Sequence, residues 1–269
     1  MPALTLTIDL EDPSKAYRPD GRYALMGRHI LDLCEETGRK ATFFTVGKLA
    51  RANPKLIQTI AGRGHEIAYH TAAHRPLTED TPKNFKTQTQ ADKAFIQDLT
   101  GRSLLGFRAP CYSLTPSTHW AVDSLKELGF LYSSSIMPSL ISMQGFKIKP
   151  VHPFLWENGL IELPMPMAGI GQARLPFNGG IYLYLMPFLL TRLCLASLSK
   201  HEALWTYAHP YDFDRTEPYA PMPDTPAWIS RLLYLSRFMT EHKIRKLLSI
   251  TEVGEPLFKV AERYALKNP

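Results

Sequence analysis

Cysteine is scarce in this chain of 269 residues: there are only three, Cys34, Cys111 and Cys194, at unrelated spacings. An odd count without pattern argues against a disulfide framework and against a zinc knuckle. Clustered positive charge is missing as well. The net charge is +6, yet the only locally basic stretch is "EHKIRKLLSI". Nucleic-acid binding concentrates Lys and Arg on one face, so no nucleic-acid partner is expected. Nor is there an uninterrupted run of the ~20 apolar residues that a membrane span needs. The nearest approach, "IYLYLMPFLLTRLCLASL" at 181–198, contains Pro187 and Arg192. It is expected to be a buried helix, with contact at a membrane surface as the alternative. The opening "MPALTLTIDLED" has no basic n-region, apolar h-region or cleavage site. A cytoplasmic setting is therefore expected, at the inner face of the membrane if there is membrane contact.

What is present is an ordinary globular composition, 45% hydrophobic and 21% charged, enough to bury a large core. Strand-like and helix-like segments alternate. "ALTLTID", "KATFFTVG", "HEIAYH", "LLGFRAP", "FLYSSSI", "LIELPM", "ALWTYAHPYD" and "LLSITEV" read as strands. Helical spacing fills "RYALMGRHILDLCEETG", "NPKLIQTIAGRG", 82–99, "PSTHWAVDSLKELG", 182–200, a stretch near 226–243 and the terminus. Residues 137–180 read mainly as long loops. Such alternation predicts an α/β fold with parallel strands, a single distorted (β/α) barrel of about seven to eight strands covering 1–269.

In such a barrel the chemistry gathers at the carboxyl ends of the strands. Those ends carry Asp9, Glu11 and Asp12 after the first strand, His70 and His74 after the third, and Arg108 after the fourth. His209 and Asp212 follow the seventh. Two imidazoles and one carboxylate make a three-donor metal site with room for water, the pattern of catalytic ions. His70 and His74 would share a face if 70–74 begins a helical turn. The competing reading of HxxxH alone is a surface helix with two exposed histidines. Alternation along a strand puts Asp9 and Glu11 on one side, favouring Glu11 over Asp12 as the acidic ligand.

Taken in order, these segments resemble the polysaccharide deacetylases of carbohydrate esterase family four, the NodB-homology group. "TIDLED" looks like its Asp-rich first motif, "GHEIAYHTAAH" its His-Ser/Thr-x-x-His motif, and "FRAPCY" its Arg-x-Pro motif. "LYSSSIMP", "IELPM" and "FNGGIYLYLMPFLLTR" with "LWTYAHPYDFD" are similar to later segments of the bacterial exopolysaccharide-locus subgroup. The resemblance implies a metal-dependent hydrolase that removes an N-acyl group, most often acetyl, from an amino sugar in a glycan, glycolipid or sugar precursor. It implies Asp9 as base, His209 as acid, Arg108 as the partner that holds Asp9, and His70, His74 and either Glu11 or Asp12 as metal ligands. The oxyanion and substrate would meet Cys111 and Tyr112. The ion would be Zn2+, with Co2+, Ni2+ or Fe2+ able to bind the same donors. The carboxyl-terminal part, about 213–269, would be a subgroup-type extension closing the barrel.

Two positions depart from the pattern. Ser133 stands where the subgroup has Asp, removing a charge that Asp212 or another acid would have to replace. Cys111 stands where an aromatic or small residue is commoner, and a thiol nucleophile there is disfavoured because the metal ligands already account for the chemistry. Two other functions stay open: a deformylase or small-molecule amidase on the same barrel, and an inactive saccharide-binding barrel in an assembly system. Metal-free cyclic-amide hydrolysis is disfavoured, since it would not need both histidines. The sequence does not indicate an oligomeric state.

Overall fold

In a computed structural model of the chain, residues 2–138, 151–170, 173–198, 203–221 and 225–268 are described. Alternation builds the first strand, β1 (Ala3–Leu10). Leu4, Leu6, Ile8 and Leu10 are all fully buried on one side, where they join Ile30, Leu31 and Cys34 of helix α1 (Arg22–Glu36). The opposite side carries Thr5, Thr7 and Asp9, turned to the interior of the curled sheet. The chain continues through β2 (Ala41–Thr45), α2 (Gly47–Ala52), α3 (Pro54–Gly62) and β3 (Glu66–Tyr69). Helix α3 starts where the sequence says it should, with Pro54 in its first turn and the Asn53 side chain accepting from the Leu56 amide. Next come α4 (Pro82–Thr100), β4 (Gly106–Phe107), α5 (Trp120–Glu127) and β5 (Tyr132–Ser133).

The second half holds β6 (Phe154–Leu155), β7 (Ile161–Glu162), the hairpin β8 (Met167–Ile170) and β9 (Ala173–Pro176), α6 (Gly180–Leu185) and α7 (Phe188–Ser197). It ends with β10 (Leu204–Ala208), α8 (Ala227–Ser236), α9 (Thr240–Ile250), β11 (Glu252–Val253) and α10 (Leu257–Lys267). The main sheet runs β10-β1-β2-β3-β4-β5-β7-β6, and β11 pairs with the start of β1. Every neighbour along β10 to β7 is parallel; β6 alone is antiparallel. The expected distorted barrel is therefore present as a curled, open sheet with helices outside. Its interior is filled by aromatic residues, among them Phe44, Tyr132, Trp205 and Tyr207.

Three expectations need correction, and one helix was not expected. "LLSITEV" is not mainly a strand: α9 runs through Ile250, because Ile244, Leu247 and Leu248 recur at helical spacing and bury together. The stretch 181–198 is neither one helix nor buried. It breaks at Met186–Pro187 into α6 and α7, and in α7 only Thr191 and Leu195 are buried. Within 137–180, read mainly as loops, β7 is the strand read at "LIELPM", but β6, β8 and β9 were not expected; residues 139–150 and 171–172 lie outside the described residues. Helix α2 has no counterpart in the sequence reading, being only six residues long.

Cations tie the carboxyl-terminal elements down. Arg39 is buried and donates to the carbonyls of Leu4, Leu248, Thr251 and Glu252 at 2.5–3.1 Å. Lys243 donates to three carbonyls, Leu183, Tyr184 and Met186, at the end of α6. At the amino end of the strands, Glu66 accepts from Thr42 (2.6 Å), Tyr132 (2.8 Å) and the Phe258 amide (3.1 Å). It borders a cavity of about 530 Å3 that lies at the opposite end of the strands from the histidines.

Burial pushes the Glu66 carboxyl up to about 7 from the ordinary 4.5, although those bonds pull the other way. A raised folded-state value means that Glu66 stabilises the fold fully below pH 4.5, and that this contribution is lost as pH rises through 7. Glu66→Gln should cancel the loss, gaining roughly 2–3 kcal/mol on wild type between acid and mildly alkaline pH. Urea unfolding of both proteins across that range measures it. A pH-independent difference would mean the buried carboxyl does not titrate there.

Candidate active site

Parallel register carries the candidate site residues to one end of the sheet. Ile8 pairs with Ala208, so Asp9 and His209 leave their strands side by side. Asp9 pairs with Phe44 and Thr45 with Tyr69, and the His70 amide then donates to the Thr45 carbonyl at 2.9 Å. Tyr69 pairs with Phe107, and the Arg108 amide donates to the Tyr69 carbonyl at 2.9 Å.

Glu11, His70 and His74 converge, with one ligand atom of each within 4.8 Å of the others. His70 Nε2 lies 4.0 Å from Glu11 Oε2, which His74 Nε2 also contacts, and the two rings are 5.0 Å apart. The backbone that achieves this is not the helical turn expected for 70–74. Thr71 and His74 both take left-handed angles, φ 60° and 53°, in a tight turn. Helix α2 holds that turn, its first amides, Gly47 and Lys48, donating to the carbonyls of Thr71 and Ala72. Gly47 is required there, since a Cβ would sit 1.9 Å from Asp92 Oδ2. Asp92 in turn accepts from Tyr69 Oη and Arg51 Nε, both at 2.9 Å, which anchors the strand end just before His70.

The donor set suits a divalent ion. His70 Nδ1 is 2.8 Å from the Arg108 carbonyl; donating there, it leaves the Nε2 lone pair facing Glu11 and His74. Burial pushes His70 down to about 4, against the upward pull of Asp9 and Glu11, so the ring is neutral at pH 7. Burial opposes ionisation of Glu11, but its bond with His74 and the neighbouring histidines, His209 foremost, outweigh it and hold the carboxyl at about 2. Two neutral imidazoles and a carboxylate are what such an ion takes. Asp12 is not part of the group. Its Oδ1 accepts from the Ser14 amide and hydroxyl and its Oδ2 from the Tyr17 amide, so it shapes the loop after β1.

Two polar pairs flank the cluster. Arg108 is fully buried, with one guanidinium nitrogen 2.6 Å from Asp9 Oδ1 and 3.0 Å from Thr7 Oγ1. Its guanidinium lies 3.9 Å from the Phe44 ring centre and 4.4 Å from that of Trp205. Burial disfavours its charge, but Asp9 more than compensates and holds Arg108 above its usual value. His209 Nδ1 is 2.9 Å from Asp212 Oδ2, which also accepts the His209 amide at 2.8 Å. Burial would lower His209, yet Asp212, with Glu11 and Asp9 behind it, raises it to about 9. The Tyr211 ring stacks on it at 4.6 Å.

Cys111 and Tyr112 both have positive φ, 55° and 51°. The Tyr112 amide donates to the Ala109 carbonyl, which makes Cys111 the better placed amide for a substrate oxygen. Desolvation and the charges of Glu11 and Asp9 push the Cys111 thiol up, against a thiolate nucleophile. Asp212 does not replace the charge missing at Ser133, for it belongs to His209. The acid nearest that gap is Glu162, which pairs with Ser133 in register, is fully buried, and accepts the amides of Ser135 and Ile136 at 2.7 and 3.0 Å. The sequence reading missed Glu162; an acid inside the apolar run "LIELPM" was its only signal. A cavity of about 280 Å3 reaches Glu11 between the loop after β1 and Tyr211.

Residues 20–132 match the polysaccharide deacetylase family. Residues 134–255 match a domain of unknown function, DUF3473. A chitooligosaccharide deacetylase from Sinorhizobium fredii is 30% identical over 135 residues, 45% of this chain and 58% of that protein. The chain thus spans just over half the length of this curated relative. Among solved structures, a protein assigned as a polysaccharide deacetylase from Mycobacterium smegmatis superposes with a TM-score of 0.64 at 20% identity, covering 98% of this chain and 90% of that one. Puue allantoinase gives 0.61 at 17% identity, covering 99% and 91%. At these identities the structures establish the fold, a NodB-type curled sheet.

The geometry makes a choice between the two acids of the first motif testable. Glu11→Ala, His70→Ala and His74→Ala should each weaken zinc binding by more than the ~10–100-fold typical of outer-shell changes. Asp12→Ala should change it little. Isothermal titration of metal-free protein reads both, and a large loss in Asp12→Ala alone would reverse the assignment.

Proposed function

We propose that the chain is a metal-dependent hydrolase that removes an N-acyl group, acetyl first among them, from an amino sugar of a glycan, glycolipid or sugar precursor. One observation carries the reading: the Glu11–His70–His74 cluster shares its strand ends with the Asp9–Arg108 pair and the His209–Asp212 pair. The match of residues 20–132 to the polysaccharide deacetylase family and the similarity to a chitooligosaccharide deacetylase support an amino-sugar substrate. An exopolysaccharide as that glycan is supported only by the likeness of "LYSSSIMP" and the later segments.

A divalent ion, zinc by its fit to two histidines and a carboxylate, would supply Lewis acidity at the acyl carbonyl and acidify a water. Asp9 takes the proton from the attacking water as the new C–O bond forms. Arg108 keeps that carboxylate oriented, while Phe44 and Trp205 fix the guanidinium. The Cys111 amide receives the developing oxyanion. His209, protonated at neutral pH, donates to the nitrogen as the C–N bond breaks, and Asp212 holds it charged. Acetate and the free amino sugar leave.

Acetate release from a panel of N-acetylated oligosaccharides and glycolipids tests the reading. Asp9→Asn and His209→Ala should each lower kcat by about 10²–10⁴. Asp212→Asn should move the alkaline limb of the pH–rate profile to lower pH, because His209 loses the carboxylate that raises it to about 9. Bound metal with no acetate released would redirect the search to formyl and other acyl groups. Neither metal nor hydrolysis would leave a saccharide-binding barrel.

A further inference from the structure

Helices α7 and α8 each bury one leucine and leave an apolar stripe facing solvent. On α7 the exposed positions Leu189, Arg192, Leu193 and Ala196 are spaced i, i+3, i+4, i+7 along one face, with Leu190 and Ser197 also exposed beside it. On α8 and the turn after it, Trp228, Arg231, Leu232, Leu235 and Met239 repeat the pattern. The exposure is large, 65% for Leu189 and 70% for Trp228. Soluble monomers rarely expose leucine and tryptophan in such stripes unless a partner covers them.

The charge accompanying these stripes identifies the partner. Neither 180–198 nor 226–239 contains a single Asp or Glu, and the charges they do contain are Arg192, Arg231 and Arg237. Arg237 is taken by Glu217, while Arg192 and Arg231 are exposed within the stripes. Lys246 of α9 adds a third exposed cation, 5.5 Å from the Phe188 ring at the start of α7. Leucine and tryptophan interleaved with arginine, without acids, match the headgroup level of an anionic bilayer. Among the described residues no helix is long and apolar enough to cross one.

We propose that α7 and α8 are a docking surface for an anionic lipid bilayer, lying in its interface with the leucines and Trp228 inserted. The surface flanks the site. Helix α6, which leads into α7, packs on α8 and α9, and Arg237 after α8 lies 5.9 Å from the Tyr211 ring that stacks on His209. If the deacetylase reading above holds, the substrate this arrangement favours is an amino sugar carried on a membrane lipid; the docking surface itself does not rest on that reading.

Co-sedimentation of the full chain with vesicles of phosphatidylcholine, alone or mixed with phosphatidylglycerol, tests the proposal without any activity assay. The protein should pellet with the mixed vesicles only, release as salt rises, and shift its tryptophan emission to the blue. Trp228→Phe should abolish the shift, because Trp205 is buried and Trp120 and Trp156 are half-buried. Leu189→Gln with Leu193→Gln should abolish pelleting at unchanged Tm, and Arg192→Gln or Arg231→Gln should each weaken it about fivefold. No pelleting with either vesicle, or equal pelleting with both, overturns the proposal. So does a concentration-dependent dimer in analytical ultracentrifugation that the leucine variant dissociates, which would make a second copy of the chain the occupant.

Discussion

A single guanidinium organises the interior. Through its side chain Arg108 reaches Thr7 and Asp9 on β1 and Ser134 just beyond β5, and through its carbonyl it orients His70 beyond β3. A charge taken fully out of water costs several kcal/mol unless its partners are close and complete. Asp9 supplies the opposite charge, and the rings of Phe44 and Trp205 replace part of the lost hydration. Removing one partner of such a pair typically costs about 3–5 kcal/mol, so Asp9 and the Glu11–His70–His74 cluster share a common support. Asp9 is held in place by the residue that also fixes the tautomer of His70.

Much of this arrangement was legible because it depends on short-range patterns. The alternation in "ALTLTID" fixes which residues of β1 face inward, so Asp9 and Glu11 fall together while Asp12 turns away to bind its own loop. Helices with caps, such as Asn53–Pro54, begin where the residues say. Parallel alternation put His209 near Asp9 without any knowledge of register.

What was not legible depends on tertiary structure. The extent of β4, β5 and β7 was not legible: "LLGFRAP", "FLYSSSI" and "LIELPM" read as full strands, yet only two residues of each pair in the sheet. The turn that joins His70 to His74 uses left-handed angles at Thr71 and His74, residues whose types give no hint of it, and it is stabilised by amides from α2. Glu162 reads as an interruption in an apolar strand, yet it is the carboxylate beside the position where Ser133 leaves a charge out. Helix α7 reads as core because its composition is apolar; composition does not say which side of a helix is covered.

The Arg39 clamp couples the two ends of the described chain. One guanidinium nitrogen binds the Leu4 and Glu252 carbonyls together, the Gly254 amide donates to Leu4, and Thr5 Oγ1 donates to the Glu255 carbonyl. The amino end of β1 is thus fastened by residues about 250 positions away. Opening of the carboxyl-terminal segment would therefore free the first residues of β1, while pairing with β2 and β10 holds the rest of the strand that presents Asp9. A protease cut after α9 would be felt first at the start of the strand that carries Asp9.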